Sequence, residues 1–422
     1  MTQGATARTR RQILIVVALA VAVAAFLSVA AIRHGFFDLK VYYGAMRYWV
    51  LDDGNIYDWL KPDSKYGFTY PPFAAVVMLP MAYLSWPVTI VVSAAATVLA
   101  GALLLYWLVD PISRRMGWTR WFAFAVAVCL AAAFEPMRET FSFGQVNLLL
   151  LFLVAVDLLF LVGSGSRWAG VGIGLATAVK LTPGIFILYL LVTRRWRATV
   201  VAAATATVAT LFAAAVAVDE SREFWTSAIW NTDRVGSLAF VSNQSLEGMV
   251  ARLTPTDPST RAWLALVGAT LVVWAWRSRA AARAGDEATG LALTGVAQGL
   301  VSPVTWVHHL VWLMPALVLL VDNAVAAPAG SRRRRRLLGF AIFAYGLLIS
   351  RLVWVWEHDF TGVLGFVGSN AYVWVSLALL LLLPVRDPSL IEPPRVPHLG
   401  QFHRRFVRRR PHPVDRPFAV GE

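Results

Sequence analysis

The stretch ARTRRQILIVVALAVAVAAFLSVAAI, residues 7–32, decides the class of fold. Arg8, Arg10 and Arg11 precede an apolar run from Ile13 to Ile32, and a helix of roughly 20 apolar residues crosses a bilayer core. A cleaved secretory signal shares the basic start, but its apolar part is shorter, about 7–15 residues. The stretch therefore reads as a retained first transmembrane helix with its N-terminus on the cytoplasmic side.

The rest of the chain agrees. Of 422 residues, 58% are hydrophobic and 15% charged, against about 45–50% and 25% in soluble domains. That excludes a water-soluble enzyme and a disordered protein. The 38 Lys and Arg against 24 Asp and Glu leave a net charge of +14. Much of the excess sits in short clusters beside apolar spans, where it faces cytoplasm and anionic lipid rather than nucleic acid. The 18 Trp fit interfacial anchoring. The lone Cys129 allows no intramolecular disulfide and no thiolate metal site.

Apolar runs near 199–217, 261–276, 288–301, 309–327, 337–355 and 371–385 alternate between two kinds of loop. One kind is basic: Arg194, Arg195 and Arg197; Arg277, Arg279 and Arg283; Arg332 to Arg336. Placing these in the cytoplasm turns residues 218–260, 302–308 and 356–370 outward. Earlier, segments 72–109 and 169–193 each read as one long span or two short ones. Arg114, Arg115 and Arg120 favour a single crossing over 72–109, whereas the break at Ser85-Trp86-Pro87 favours two. The side on which 135–145 lies stays open. The expected architecture is all-α and polytopic, with about 12 transmembrane helices in one catalytic domain over residues 1–385. The Pro- and Arg-rich stretch 386–422 reads as a disordered cytoplasmic tail.

Three polar stretches stand out against this background. Residues 33–73, after the first helix and therefore outside, hold Asp38, Asp52, Asp53, Asp58 and Asp63 with Lys40 and Lys65 among many aromatics. Helical spacing over 36–50 predicts a short interfacial helix. Asp52-Asp53-Gly54-Asn55 reads as a turn, and Tyr70-Pro71-Pro72-Phe73 as a stiff entry to the next segment. One of these carboxylates, partly desolvated, could serve as a general base toward an acceptor hydroxyl.

The second stretch, Glu135 to Asn147, gathers Glu135, Arg138, Glu139 and Gln145. Its bland reading is a helix-end network in which Arg138 neutralises a glutamate. Lys180, inside the apolar segment 169–193, is a functional candidate because an ionisable group at membrane depth is costly. The third set is Ser242 to Glu247 with Ser302 to His309. Amides, hydroxyls, Trp and His grip sugars, and His also binds phosphate. Zinc at His308 and His309 is a weak reading, since neighbouring side chains diverge and no third ligand is spaced nearby. There is no Walker A motif and no Gly-rich dinucleotide turn, nor an insertion large enough for a nucleotide-sugar site. An activated donor would come dissolved in the membrane.

In this order, Phe37-Asp38-Leu39-Lys40-Val41-Tyr42-Tyr43, Ile56-Tyr57-Asp58 and Phe68-Thr69-Tyr70-Pro71-Pro72-Phe73 resemble the first outward loop of bacterial polyprenyl-phosphate-dependent glycosyltransferases. Gly144-Gln145-Val146-Asn147, Lys180-Leu181-Thr182-Pro183 and Ser302-Pro303 through His308-His309 extend the resemblance over most of 33–315. These enzymes form the mannosyl- and arabinosyltransferase branch of the integral-membrane GT-C superfamily, and the likeness is greatest to its actinobacterial phosphatidylinositol mannoside α-1,2-mannosyltransferases.

The resemblance implies an inverting transfer of mannose from polyprenyl-phosphate-mannose to a phosphatidylinositol mannoside glycolipid at the outer face of the plasma membrane. It implies Asp58 as catalytic base, with Asp38 as runner-up. Lys180, Arg138, His308 and His309 would bind the donor phosphate; Asn243, Gln244, Trp306, Glu135 and Gln145 would bind sugar or acceptor. No metal would be required. The partners would be the two lipid substrates and membrane lipids, with no nucleic acid. Two alternatives stand: an arabinofuranosyltransferase using the corresponding lipid-phosphate donor, and a secondary transporter, which the pairing of Lys180 with Pro183-Gly184 as a broken helix would suit.

Overall fold

The computed structural model describes residues 2–30, 34–231, 236–255, 258–386 and 388. The expected tail lies outside the described residues apart from Arg386 and Pro388. In chain order the α-helices are α1 (Thr2–Ala30), α2 (Phe37–Leu51), α3 (Pro72–Met78), α4 (Trp86–Arg115), α5 (Arg120–Ala133) and α6 (Glu135–Phe143). Then come α7 (Asn147–Val156), α8 (Val171–Val179), α9 (Ile185–Val192), α10 (Trp196–Val216), α11 (Val218–Thr226) and α12 (Leu246–Leu253). The series ends with α13 (Thr260–Arg283), α14 (Glu287–Val301), α15 (Met314–Ala326), α16 (Arg332–Ser350), α17 (Gly362–Ser369) and α18 (Ala371–Leu382). Among the described residues the chain is all-α, with one isolated bridge between Leu60 and Gly67.

Four helices are long and apolar enough to cross a membrane: Thr6–Ala30, Trp86–Arg115, Trp196–Val216 and Val307–Ala326. The pairs α5–α6 and α17–α18, bent by 71° and 60°, raise that to six if each is one span. Shorter apolar helices cover Pro72–Tyr83, Asn147–Val162 and Thr182–Val192. Pro72–Tyr83 would reach about 18 Å at 1.5 Å per residue, short of a bilayer core of about 30 Å. In 72–109, the full-length crossing is therefore α4.

Segment 169–193 folds differently, as two short helices, α8 and α9, that turn back on each other at Lys180–Gly184. Both outer ends of this hairpin meet: Arg197 Nη2 donates to Gly165 O at 2.6 Å and Ser166 O at 2.8 Å. The hairpin's depth comes from small residues. A Cβ on Gly170 would sit 2.3 Å from Ala198 O, and one on Gly174 2.5 Å from Ala202 O. Glycines spaced by four thus let α8 lie against α10 at backbone distance, the packing that replaces hydrophobic drive between helices in lipid. The N-terminus of α8 starts inside protein, where its free N–H groups need acceptors. The buried Asp157 supplies them from the neighbouring segment, accepting from Gly170 N at 2.7 Å and Ile173 N at 3.0 Å.

The basic loops gather at one end of the bundle. Arg8 donates to Gly117 O, Arg115 pairs with Asp322, and Arg195 pairs with Glu287. Arg279 donates to Val192 O at 3.0 Å, and Arg386 bridges Asp286 and Asp322. Arg332 to Arg336 lie inside the first turns of α16 rather than in a loop. Cations there oppose the helix dipole, so the run does not serve helix stability.

Candidate active site

At the opposite end, five chain segments converge on one polar cluster. Asp38 comes from the first turn of α2. The start of that helix is tied to α6, because Phe36 N donates to Ser142 O at 2.9 Å and His34 N to Ser142 Oγ at 2.7 Å. Helix α6 ends at Gly144, whose φ of 72° carries the chain into a left-handed cap. A Cβ at Gly144 would lie 2.6 Å from Leu39 Cβ, so glycine also permits the close approach of the two elements. The next residue, Gln145, consequently reaches Asp38: its Nε2 donates to Asp38 Oδ2 at 2.6 Å.

Tyr70 donates to Gln145 Oε1 at 2.9 Å, and its own hydroxyl lies 2.9 Å from that of Tyr42. Lys180, extended at the tip of the α8–α9 hairpin, donates to Asn147 Oδ1 at 2.9 Å and more weakly to the Tyr70 hydroxyl at 3.3 Å. Its Nζ also lies 3.1 Å from His309 Nε2. Burial pushes the Asp38 carboxyl up to about 6, because the Gln145 bond and the charges of Lys180 and His34 offset only part of the desolvation. The residue nonetheless keeps part of its surface open.

Two side-chain nitrogens here have no hydrogen-bond partner. Asn147 Nδ2 and His308 Nε2 are buried and unpartnered, in residues exposed by only 2% and 6%. Asn147 Nδ2 is a donor beside Lys180, and His308 Nε2 joins them in the tautomer that carries its proton there; such a set suits an anion or an oxygen-rich ligand. Asn147 is the member that sequence reasoning quoted without assigning a role; its place at the head of α7, right after Gln145, was the available signal. An aromatic mouth surrounds the cluster: Phe37 lies edge-on to Tyr66 at 5.7 Å and to Phe143 at 6.4 Å. Trp306 meets Phe240 at 6.1 Å.

The remaining candidates fall in three places. Asp58 is exposed in the loop after α2, its N–H donating to Asn55 O at 3.0 Å. Asn243 and Gln244 are fully buried and hold backbone. Asn243 accepts from Thr305 N at 2.9 Å and donates to Pro303 O at 3.2 Å; Gln244 donates to Ser369 O at 2.7 Å. The two Asn243 bonds, with Gln244 N donating to Thr305 O at 2.7 Å, fix the 302–307 loop and so position His308 and His309. Glu135 accepts from Trp354 Nε1 at 2.6 Å and from the Tyr372 hydroxyl. Glu139 pairs with His34 at 2.7 Å and Arg351 at 3.3 Å. The network drawn from sequence is therefore real but has another cation: Arg351, distant in the chain, does what Arg138 was expected to do. Arg138 instead turns to α1.

A family model described as glycosyltransferase family 87 matches residues 68–303. The chain is 36% identical over 365 residues to a polyprenol-phosphate-mannose-dependent α-(1-2)-phosphatidylinositol mannoside mannosyltransferase of Mycolicibacterium smegmatis, covering 80% of this chain and 78% of that one. It is 31% identical over 393 residues to the protein of the same description from Mycobacterium tuberculosis, covering 85% and 86%. A phosphatidylinositol pentamannoside mannosyltransferase of M. smegmatis is 33% identical over 331 residues, covering 74% and 75%. No solved structure matches.

Proposed function

The chain belongs to glycosyltransferase family 87, and from that premise we propose that it transfers mannose from polyprenyl-phosphate-mannose to a phosphatidylinositol mannoside, forming an α-1,2 bond. The names of its relatives support both substrates, and they weigh against the arabinose and transport alternatives. The observation that carries the chemistry is the pairing of one partly open carboxylate, Asp38, with a cluster of side-chain nitrogens: Lys180, Asn147 Nδ2 and His308 Nε2.

In this reading Asp38 is the general base and Asp58 is not, because Asp58 lacks the desolvation and the neighbouring donors. The Asp38 carboxylate takes the proton of the acceptor mannose 2-hydroxyl. That oxygen forms the new bond to the anomeric carbon as the bond from this carbon to the phosphate oxygen breaks, so a β-linked donor gives an α product. The departing lipid phosphate monoester gains negative charge, and donors fixed in place stabilise it without reorganising. Lys180, Asn147 and His308 fill that role, with His309 setting the position of Lys180. These groups supply hydrogen bonds, and Lys180 a positive charge, where a metal would otherwise act. Trp306 and the aromatic mouth give ring faces for sugar to lie on.

The proposed topology has fewer full passages than the twelve expected, because α8 and α9 are too short to cross and form a re-entrant hairpin, and it places the site on the extracytoplasmic side. Support comes from the basic loops, which gather at the end of the bundle away from Asp38. The test is transfer of radiolabelled mannose from polyprenyl-phosphate-mannose to a phosphatidylinositol mannoside by purified protein in nanodiscs, with linkage-specific mannosidase digestion of the product. Absence of transfer by folded wild type would overturn the assignment.

A further inference from the structure

Arg138 occupies a seam that the donor-binding cluster does not use. Its Nη1 donates to Ala30 O at 3.2 Å, and its guanidinium carbon lies 5.2 Å from the centre of the Phe26 ring. Both partners are in the last turns of α1. Its Nε and Nη2 are buried and have no hydrogen-bond partner. The nearby acids do not fill that gap: Glu135 is engaged by Tyr372 and Trp354, and Glu139 by His34 and Arg351. A guanidinium with two unpartnered nitrogens is costly to bury, and its fork matches the oxygens of a phosphate.

The position says which phosphate. Helix α1 is the least enclosed of the long apolar helices, with 6% of its apolar window buried, so its seam with α6 borders lipid. Ala30 is at the end of α1 away from Arg8, which the proposed topology puts at the extracytoplasmic headgroup level. Lys180 and its neighbours form a separate focus, linked to this one through Phe143, which stacks on His34 at 3.9 Å and meets His308 at 5.2 Å.

We propose that Arg138 binds the phosphodiester of an anionic lipid at this seam, the ligand being the headgroup phosphate of the acceptor glycolipid. The inference rests on the mannosyltransferase reading for the identity of that lipid. The molecule then has two anion sites with different duties. Lys180, Asn147 and His308 meet the phosphate that leaves; Arg138 holds the phosphate that stays, and so sets how far an acceptor's mannose reaches toward Asp38. The same phosphodiester chemistry is present in bulk anionic lipid, which is the competing occupant.

The experiment compares wild type with Arg138→Gln in nanodiscs, varying acceptor at saturating donor and donor at saturating acceptor. A lost charge-assisted hydrogen bond predicts an acceptor KM raised about tenfold, with the donor KM as in wild type. A phosphate-free acceptor, an alkyl α-mannoside, should erase the difference. Arg138→Lys, which keeps the charge but loses the fork, should fall between the two. An acceptor KM unchanged in a folded Gln variant would overturn the proposal, as would a rise confined to the donor. If the loss persists with the alkyl mannoside and tracks the phosphatidylglycerol content of the disc, the occupant is bulk lipid and the acceptor assignment falls. Native mass spectrometry of phosphatidylinositol retained by each variant reads the site without turnover. Retention lost in the Gln variant supports the site even if mannose transfer itself fails, and equal retention overturns it.

Discussion

Asp38 and Asp58 both belong to the segment between α1 and α3, and the fold treats them in opposite ways. Asp58 sits on an exposed turn, with solvent as its neighbour. Asp38 is drawn against α6 by the Gly144 cap, held by Gln145, and faces Lys180 across Tyr70. A carboxylate in water is a weak base with a free choice of orientation. One that is desolvated and fixed by a hydrogen bond has a raised proton affinity and a single direction of approach. Position in the segment does not distinguish the two residues; the elements that fold over each of them do.

The largest effect should come from replacing each of the two carboxylates by an amide. Asp38→Asn should lower transfer by about 10²- to 10⁴-fold, the usual worth of a positioned base, while Asp58→Asn should stay within a few-fold of wild type. The Asp38 variant should melt no lower than wild type near neutral pH. Its folded carboxyl is raised above the ordinary 3.8, so ionisation costs folding free energy at neutral pH and the amide removes that cost. A dead Asp58→Asn beside an active Asp38→Asn would reverse the comparison.

The donor cluster sharpens it from the other side. Asn147→Leu and Lys180→Met should each raise the donor KM by about ten- to a hundredfold, since hydrogen bonds to a charged group contribute about 1.5–3 kcal/mol. Their acceptor KM should stay near wild type. An effect on acceptor alone would mean that this pocket holds sugar rather than phosphate.

Much of this was legible in the sequence, for reasons that differ by element. The first helix, the basic clusters and the short helix over 36–50 follow from local composition and period, and α2 covers Phe37–Leu51. The turn at Asp52 to Asn55 is there too: Gly54 N closes on Tyr48 O at 3.0 Å with Asp53 in the left-handed region. The hairpin shape of 169–193 was one of two open readings. What separates them is the contact of Gly170 and Gly174 with α10, a pairing between distant segments. Arg351 was missed for the same reason. It lies in an apolar stretch, and nothing local says that its guanidinium meets Glu135 and Glu139. Asn243 and Gln244 show the converse. Their residue types suit sugar binding, but they face backbone carbonyls that fold up around them.

A pH profile gives a smaller and more specific test. If Asp38 acts as the base, kcat/KM should fall about tenfold per unit below about 6. The Gln145 bond favours the ionised form, so Gln145→Leu should move this limb to higher pH. A limb that stays in place would show that Gln145 does not act through Asp38.

The smallest effect belongs to the far side of α6. Glu135 is fully buried and draws on the Tyr372 hydroxyl and the Trp354 indole. Tyr372→Phe leaves the ring in place but strands one carboxylate oxygen, a loss of about 1–3 kcal/mol. Scanning fluorimetry in detergent should show a lower melting midpoint with the donor KM unchanged. The contrast with Asn147→Leu is the point of the measurement. Both variants remove one hydrogen-bonding group from a polar cluster beside α6, yet one should change substrate affinity and the other the midpoint. The reason is that Glu135 already has its partners within the fold, whereas Asn147 Nδ2 still lacks one. Equal effects of the two substitutions on donor KM would merge the clusters into a single site and remove the distinction between groups that hold the fold and groups that await a ligand.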